Sequence, residues 1–287
     1  MPEAEEEKWD IEITPESNAF SLGLKNVWHY RDLLFLLVRR DFVSFYKQTV
    51  LGPLWFFIQP IITTITYTIV FGKLAGIPTD GVPAPLFYLA GITMWNYFAD
   101  CLTKTSTVFK DNAAMLGKVY FPRLIMPLSI VFSNLIRFAV QFILFLFVLA
   151  FLIIKGYPIA PNAMVLLFPV LLLLVAAQGL GLGMIISAVT TKYRDLAFVV
   201  SFGVPLLMYI VPIVYPLSTA EATYPAYANF IRYNPITAIL ETFRYGFLGK
   251  GSFSWELLSY SFITTMALFL LGTVIFNRVE KNFVDTV

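Results

Sequence analysis

Cysteine and histidine are almost missing from this 287-residue sequence, which has Cys101 and His29 and no other of either type. One thiol excludes an internal disulfide framework and any multi-thiolate metal site, and one imidazole excludes His-pair ligation. Most metalloenzyme chemistry is thereby closed to the chain. Charge is also scarce: Asp, Glu, Lys and Arg make up 13% of residues, and a net charge of +2 offers no bulk attraction for nucleic acid. No Gly-x-x-x-x-Gly-Lys-Ser/Thr run occurs, so ATP cannot be cradled by a P-loop of this chain. Asp100, Asp111, Asp195, Glu241 and Glu256 stand singly, without the paired acid–base groups that hydrolysis or glycosyl transfer requires.

What is abundant is apolar and aromatic surface. Hydrophobic residues make up 58% of the chain, and 28 Phe, 15 Tyr and 5 Trp are spread along it. That balance excludes disorder and is too apolar for an ordinary soluble domain. Runs of about 20 apolar residues, each able to cross a ~30 Å hydrocarbon layer as a helix, recur with charged or Pro/Gly-rich breaks between them. The runs predict an all-α polytopic membrane protein with six spans, at residues 54–71, 86–102, 124–154, 164–189, 196–214 and 257–276. Six spans put both termini on one side. Lys and Arg gather on that side (Arg39, Arg40, Lys47, Lys104, Lys110, Lys118, Arg123, Lys192, Arg194, Arg278 and Lys281). The other side has only Lys73, Lys155, Arg232, Arg244 and Lys250, so both termini are expected in the cytosol. Residues 1–27, with an acidic start and no apolar run, read as a cytosolic tail rather than a secretory signal, and residues 277–287 as a second tail.

Several segments do not simply cross. Within the segment 28–52, the helical projection of residues 28–48 gathers Leu34, Phe35, Val38, Phe42, Phe45 and Tyr46 on one arc, with Asp32, Arg39, Arg40, Ser44 and Lys47 largely opposite. This predicts an amphipathic interfacial helix that Gly52-Pro53 ends, although a helix packed on the other spans has the same pattern. Residues 103–123 read as a connection holding a short helix that Asp111 or Asn112 could cap. The connection 215–254 is too long and too apolar for a free loop. After Asn234-Pro235, the spacing of Ile236, Ile239, Leu240, Phe243 and Phe247 predicts a helix stopped by Gly249, either a shield for the bundle or a gate. Gly179, Gly181 and Gly183 superficially resemble a nucleotide loop but lie within a span. Gly179 and Gly183 instead have the spacing for close helix contact.

Arg137 lies roughly 20 Å along the third span at 1.5 Å per residue, deep enough for its charge to need a partner or water. Asp100, near the end of span two, is its candidate partner, and Gln141 lies one turn away on the same face. An internal ion pair and a group lining a watery path are both open readings.

The order of these features carries a family resemblance. The interfacial helix is followed by Leu51-Gly-Pro-Leu-Trp55, Asn112-Ala-Ala-Met-Leu-Gly-Lys-Val-Tyr-Phe-Pro-Arg123, Lys192-Tyr-Arg-Asp-Leu196 and Tyr233-Asn-Pro-Ile236. This arrangement, from about Trp28 to the C-terminus, resembles the transmembrane subunit of type-2 ABC exporters, in particular the group that exports lipid-linked O antigen. Capsule and teichoic acid exporters are close relatives of that group.

The resemblance implies a homodimer in the bacterial inner membrane, with residues 53–276 as the six-span domain. Two cytosolic subunits would bind ATP and Mg, and this chain would hold no cofactor. By the same resemblance Lys110, Asp111, Asn112, Met115, Leu116, Lys118 and Tyr120 form the segment that couples to the ATPase. Arg39, Arg40 and Lys47 frame the headgroup of an undecaprenyl-diphosphate-linked polysaccharide, and Tyr233, Asn234, Pro235 and Phe243 belong to outer gate helices within 215–254.

Sugars stack on aromatic rings, and a conduit for a long neutral polymer must release at every step. Tyr67, Trp95, Tyr97, Phe98 and Arg137 are the candidate lining residues. Export of capsular polysaccharide or teichoic acid is the nearest alternative. A membrane-embedded enzyme acting on lipid-linked sugars lacks the clustered acid–base residues it would need, and an ion-coupled carrier the intramembrane carboxylates.

Overall fold

The structure, a computed structural model, describes residues 24–47, 49–116, 121–193 and 195–283, and the regular elements among them are all helices. The expected N-terminal tail, apart from its last residues, lies outside the described residues, as do Lys118, Tyr120 and Arg194. At one end of the bundle lie α1 (Leu24–His29) and α2 (Arg31–Tyr46). An apolar helix then runs Gly52–Leu74. It opens with a 3-10 turn holding Pro53, continues as α3 (Trp55–Tyr67), and widens into π-helical turns at Thr68–Leu74.

After α4 (Ala84–Ser106) come two single turns, α5 (Val108–Asp111) and α6 (Ala113–Leu116). The long helices α7 (Ile125–Ile154) and α8 (Phe168–Lys192) follow, α8 preceded by a 3-10 stretch from Ala163. The chain ends with α9 (Leu196–Leu207), α10 (Leu217–Thr223), α11 (Pro225–Arg232), α12 (Pro235–Leu248) and α13 (Trp255–Phe283).

Four of these helices, Gly52–Leu74, Ile125–Ile154, Ala163–Lys192 and Trp255–Val279, are long and apolar enough to cross a membrane. They coincide with expected spans one, three, four and six. The helix α4 is as long as the first of them but more polar and far more buried. Expected span five shortens to α9, because the helix breaks down after Leu207 into turns that run to Tyr215. The sixth-span helix continues beyond Phe276 to Phe283, into the segment expected as a tail.

The helix α8 is the centre of the bundle, and its glycines explain why. A Cβ built on Gly179 would lie 2.9 Å from the Phe98 carbonyl of α4, and one on Gly183 would lie 2.6 Å from Cβ of Thr105. Gly181 points the other way, onto the backbone of Leu268 and Phe269 in α13, where Gly272 faces it in return. The three glycines thus let α4 and α13 approach α8 at backbone distance on two faces, which lipid-embedded helices exploit because dispersion contacts replace the hydrophobic drive.

Phenylalanines close the opposite end. Phe142 and Phe168 stack at 4.4 Å between centroids, and Phe243 and Phe247 of α12 pack onto them, so α12 is buried within the bundle rather than lying across it. Asn234 caps α12 by accepting from the Ile236 amide (3.1 Å), Pro235 occupies the first turn, and Gly249 ends it at φ +67°, as the sequence predicts.

The turns after α9 leave carbonyl oxygens without helical partners inside apolar surroundings, a costly condition in a membrane. Side chains take them up. The Tyr215 hydroxyl donates to the carbonyls of Tyr209 (3.1 Å) and Ile210 (3.2 Å). Arg244 of α12 donates from Nη1 to the Pro212 carbonyl and from Nη2 to that of Ile213 (2.8 Å). Its guanidinium lies 3.7 Å from the Phe87 ring centroid and pairs with Glu241 at 3.3 Å, and both charged residues are buried, at 1% and 3% relative exposure. The second Glu241 oxygen accepts from the Ser252 amide (3.0 Å). Gly91 makes room, since a Cβ there would lie 2.9 Å from Nη2.

Two outcomes follow for thermal unfolding of the detergent-solubilised protein. Gly183→Leu should lower the midpoint, with a cost of about 1–3 kcal/mol for overpacking, whereas Gly203→Ala, a helical position with open space around it, should not lower it. Arg244→Met should cost about 3–5 kcal/mol by stranding Glu241, and Arg244→Met with Glu241→Gln should recover part of that loss. A single Arg244 variant melting with the parent would show that the pair does not hold α12.

Candidate functional site

Polar residues recur at helical spacing on two facing helices. Asn96, Asp100 and Lys104 lie four apart on α4, and Asn134, Arg137 and Gln141 lie three and four apart on α7, so each set forms one stripe. The stripes meet rung by rung. The Asn96 amide donates to Gln141 (3.3 Å), Arg137 pairs with Asp100 (3.4 Å), and Lys104 Nζ donates to Asn134 Oδ1 (2.7 Å). Asn134 in turn approaches the buried Cys101 sulfur (3.9 Å), and the Arg137 guanidinium lies 5.5 Å from the Phe56 ring centroid. Arg137 and Asp100 remain partly exposed, which relieves the cost of placing them within the bundle. The ion pair expected between them is therefore present.

The stripe continues into α2. Ser133 donates to Asp41 (3.3 Å), whose other oxygen receives Nε and Nη2 of Arg40 at 3.0 and 2.9 Å. The buried side of α2 is centred on Leu37, at 1% exposure, which joins Val108, Phe109, Phe121, Ile125 and Met126 in a second, smaller core. Phe35 and Leu36 remain 69% and 63% exposed. The helix therefore packs on the bundle along one stripe and presents apolar side chains outward along another, combining the two readings of its pattern. It ends at Tyr46, six residues short of Gly52, because β-branched Thr49 and Val50 and the turn before Pro53 disfavour helix. Arg39, Arg40 and Lys47 are all exposed.

The segment after α4 is split at Asn112 rather than forming one helix. Asn112 donates backwards to the Val108 carbonyl (3.0 Å), and Asp111 accepts from the Thr107 hydroxyl (2.6 Å), so both side chains bond to the turn that precedes them. Phe109 stacks on Phe276 of α13 at 4.5 Å and fastens this segment to the bundle. Lys110 and Asp111 face outward and Met115 is half-buried.

The aromatic candidates divide. Trp95, Tyr97 and Phe98 are almost fully buried: Trp95 packs on Phe98 at 5.3 Å, and Tyr97 on Phe138 at 5.1 Å. Within the single chain they are core. Tyr67 is half-buried, edge-on to Phe71 and Tyr88, with its hydroxyl 3.5 Å from the Met208 sulfur. At the opposite end Tyr233 is exposed and edge-on to Tyr260 (5.8 Å), Asn234 and Pro235 start α12, and Phe243 is core. In the sequence Arg244 stands only as one of the few cations of the outer side and Glu241 as a single carboxylate. The signal that places them together is their i, i+3 spacing inside an apolar helical pattern.

Among the described residues no cluster of metal-ligating side chains occurs. Residues 32–248 match the ABC-2 type transporter family. An O-antigen export system permease protein RfbA of Klebsiella pneumoniae is 28% identical over 267 residues, covering 92% of this chain and 99% of that protein. A Myxococcus xanthus protein of the same name is 28% identical over 222 residues, covering 77% and 82% of the two chains, and a second Klebsiella pneumoniae protein is 26% identical over 264. With the family match extending from α2 to the end of α12, the chain belongs to the ABC-2 type transporter family.

Proposed function

We propose that this chain is the membrane-embedded subunit of an ATP-driven exporter of undecaprenyl-diphosphate-linked O antigen in the bacterial inner membrane. The observation that carries this reading is its similarity, over nearly its full length, to permeases named for O-antigen export. In this reading two separate cytosolic subunits bind ATP and Mg, which agrees with the lack of a P-loop run in this chain.

In this reading six spans cross the membrane and both termini are cytosolic. The helix α4, at about 35 Å for its 23 residues, is long enough to span. Its polar stripe is matched by α7, so it needs little lipid-facing apolar surface. The fifth crossing is completed by α9 together with the turns that Tyr215 and Arg244 satisfy. Ile61, Ile62, Ile65 and Ile69 of the first apolar helix, and Phe198, Phe202 and Leu206 of α9, are exposed large side chains that suit contact with a second copy.

Tyr67 and Arg137 are the lining residues this reading retains, with Trp95, Tyr97 and Phe98 packed behind them. Aromatic faces hold sugars weakly enough for release at each step. Arg39, Arg40 and Lys47 would frame the anionic headgroup, while α10–α12 would form the outer gate, with α12 as its fixed base.

The segment from Lys110 to Tyr120 is assigned to ATPase coupling, because it is fastened at Phe109 yet exposes Lys110 and Asp111. Lys110→Glu with Met115→Glu should reduce co-purification of the ATPase chain about tenfold while the permease itself still elutes as folded protein. Unchanged co-purification would remove this assignment. Arg137→Leu should cut polymer export in cells about tenfold or more with the complex still assembled. If assembly is lost together with export, the Arg137–Asp100 pair serves packing rather than the path.

A further inference from the structure

The first apolar helix leaves α geometry at its outer end, over Thr68–Leu74, for longer than the single wide turn in which π geometry is usually found. The Ala75 amide donates five residues back to the Val70 carbonyl (2.9 Å), and the Ile77 amide six back to that of Phe71 (2.9 Å). The wider turn changes which residues share a side. In an α-helix, at about 100° per residue, Gly72 would point about 140° away from Tyr67. Here both face α4: Tyr67 lies edge-on to Tyr88 (6.1 Å between centroids), and a Cβ on Gly72 would lie 3.7 Å from the same ring. Ile69 and Val70, between them in sequence, are 46% and 40% exposed. One residue more than an α-helix needs is thus accommodated between two inward contacts. The neighbouring α9 ends at the same level, where the Tyr67 hydroxyl meets the sulfur of Met208 (3.5 Å), the first residue beyond that helix.

A short strap ties this stretch to the outer segment. Pro78 restricts one φ, and Thr79 closes a turn with Val82, its hydroxyl donating to the Val82 carbonyl (2.6 Å) and its carbonyl accepting from the Val82 amide (2.9 Å). Asp80, within that turn, has φ +50°, a left-handed conformation that no other non-glycine among the described residues adopts. Its carboxylate accepts from the Ser218 hydroxyl of α10 (2.9 Å). Glu221 of α10 in turn pairs with Arg232 of α11 (3.8 Å). These two short helices lie between fixed points: Tyr215 is bonded to the turns before them, and the Pro235 carbonyl after them accepts from Ser261 of α13 (2.7 Å). A left-handed aspartate that holds a neighbouring element is a backbone cost retained for a contact.

We propose that Thr68–Leu74 is a two-state element: when it rewinds into α geometry, the outer end of the first helix turns and draws Asp80 off Ser218, releasing α10 and α11. Rewinding moves each residue beyond the stretch by one position, which is about 100° of rotation and about 1.5 Å of rise. Only Ala75, Gly76 and Ile77 separate the stretch from Pro78, too few to absorb that shift, so it reaches the turn at Asp80. Because α9 has already left helical geometry at Met208, the first helix can turn against it without breaking a second helix. That the release opens a path for polymer rests on the export reading above, whereas the two-state element itself does not.

The test is amide hydrogen exchange of the full-length protein in phosphatidylcholine nanodiscs. In the parent, residues 70–77 should exchange about tenfold faster or more than residues 147–154 at the outer end of α7. Deleting Val70 removes the extra residue and leaves Tyr67 and Gly72 four positions apart, so the stretch becomes α with its outer end in the present register and can no longer switch. The deletion should slow exchange over residues 217–232 about tenfold without lowering the thermal midpoint. Asp80→Gly keeps the left-handed backbone but removes the acceptor, and should quicken exchange over 217–232 by up to about tenfold. Asp80→Asn keeps an acceptor and tolerates the same backbone, and should behave as the parent. Equal protection of 70–77 and 147–154 in the parent, or exchange over 217–232 that ignores the deletion, would overturn the proposal. A lowered midpoint for the deletion would overturn it as well, by showing that packing alone demands the extra residue. In cells the deletion should cut polymer export about tenfold. Export absent from the parent would sink the export reading and leave the exchange rates to decide on the switch.

Discussion

Arg244 supports the part of this fold that an apolar environment tolerates least. A chain that leaves helical geometry inside a bundle exposes carbonyl oxygens that neither lipid nor hydrocarbon side chains can satisfy. Here the carbonyls of Pro212 and Ile213 are taken by a guanidinium that is itself neutralised by Glu241 and covered by Phe87. The arrangement connects α12, the turns after α9 and the start of α4 at one point. Buried ion pairs are poor sources of net stability, but removing one partner from such a pair is expensive. The pair therefore acts as a constraint on geometry: α12 cannot leave the bundle without uncovering a charge and two carbonyl groups.

The close approach of α4 and α13 to α8 supplies the other half of the frame. Gly179 and Gly183 serve one neighbour and Gly181 serves the other, so the sequence that superficially resembles a nucleotide loop is a two-sided packing surface. Dispersion acts at short range, and a helix whose backbone can be approached on two faces gathers many such contacts without large side chains. In consequence the bundle has a dense middle formed by α4, α8 and α13, while α3 and α9 present much of their apolar surface outward.

How legible this was in the sequence depends on what each feature obeys. Long apolar runs locate the major helices, because burial in lipid and burial in protein both demand them. The start and stop of α12 are equally legible, since Asn234, Pro235 and Gly249 act through local backbone chemistry. The break after Leu207 was not, because the apolar run continues to Val214 and hydropathy does not register where a donor is missing. The Arg137–Asp100 pair was visible by cost. Its neighbours Asn96, Lys104 and Asn134 were legible in principle from their spacing, but Lys104 at a span end reads first as a topology signal. The inner face of α2 is less legible for a related reason: a projection ranks residues by hydrophobicity and cannot say that Leu37 meets the bundle while Phe35 faces away.

The polar stripe gives these parts a common direction. Hydrogen bonds and ion pairs run from Asn96–Gln141 through Asp100–Arg137 and Lys104–Asn134 to Ser133–Asp41–Arg40, so α2 is joined to the bundle by charge as well as by Leu37. Such contacts have directional geometry and make or break discretely, whereas an apolar stripe slides. A displacement of α2 would therefore meet its first resistance at Asp41, the residue shared by Arg40 and Ser133, and only afterwards at the packed phenylalanines beneath. The surface helix is thus tied to the α4–α7 pair by discrete polar contacts, whereas the centre of the bundle is held by glycine-mediated backbone approach.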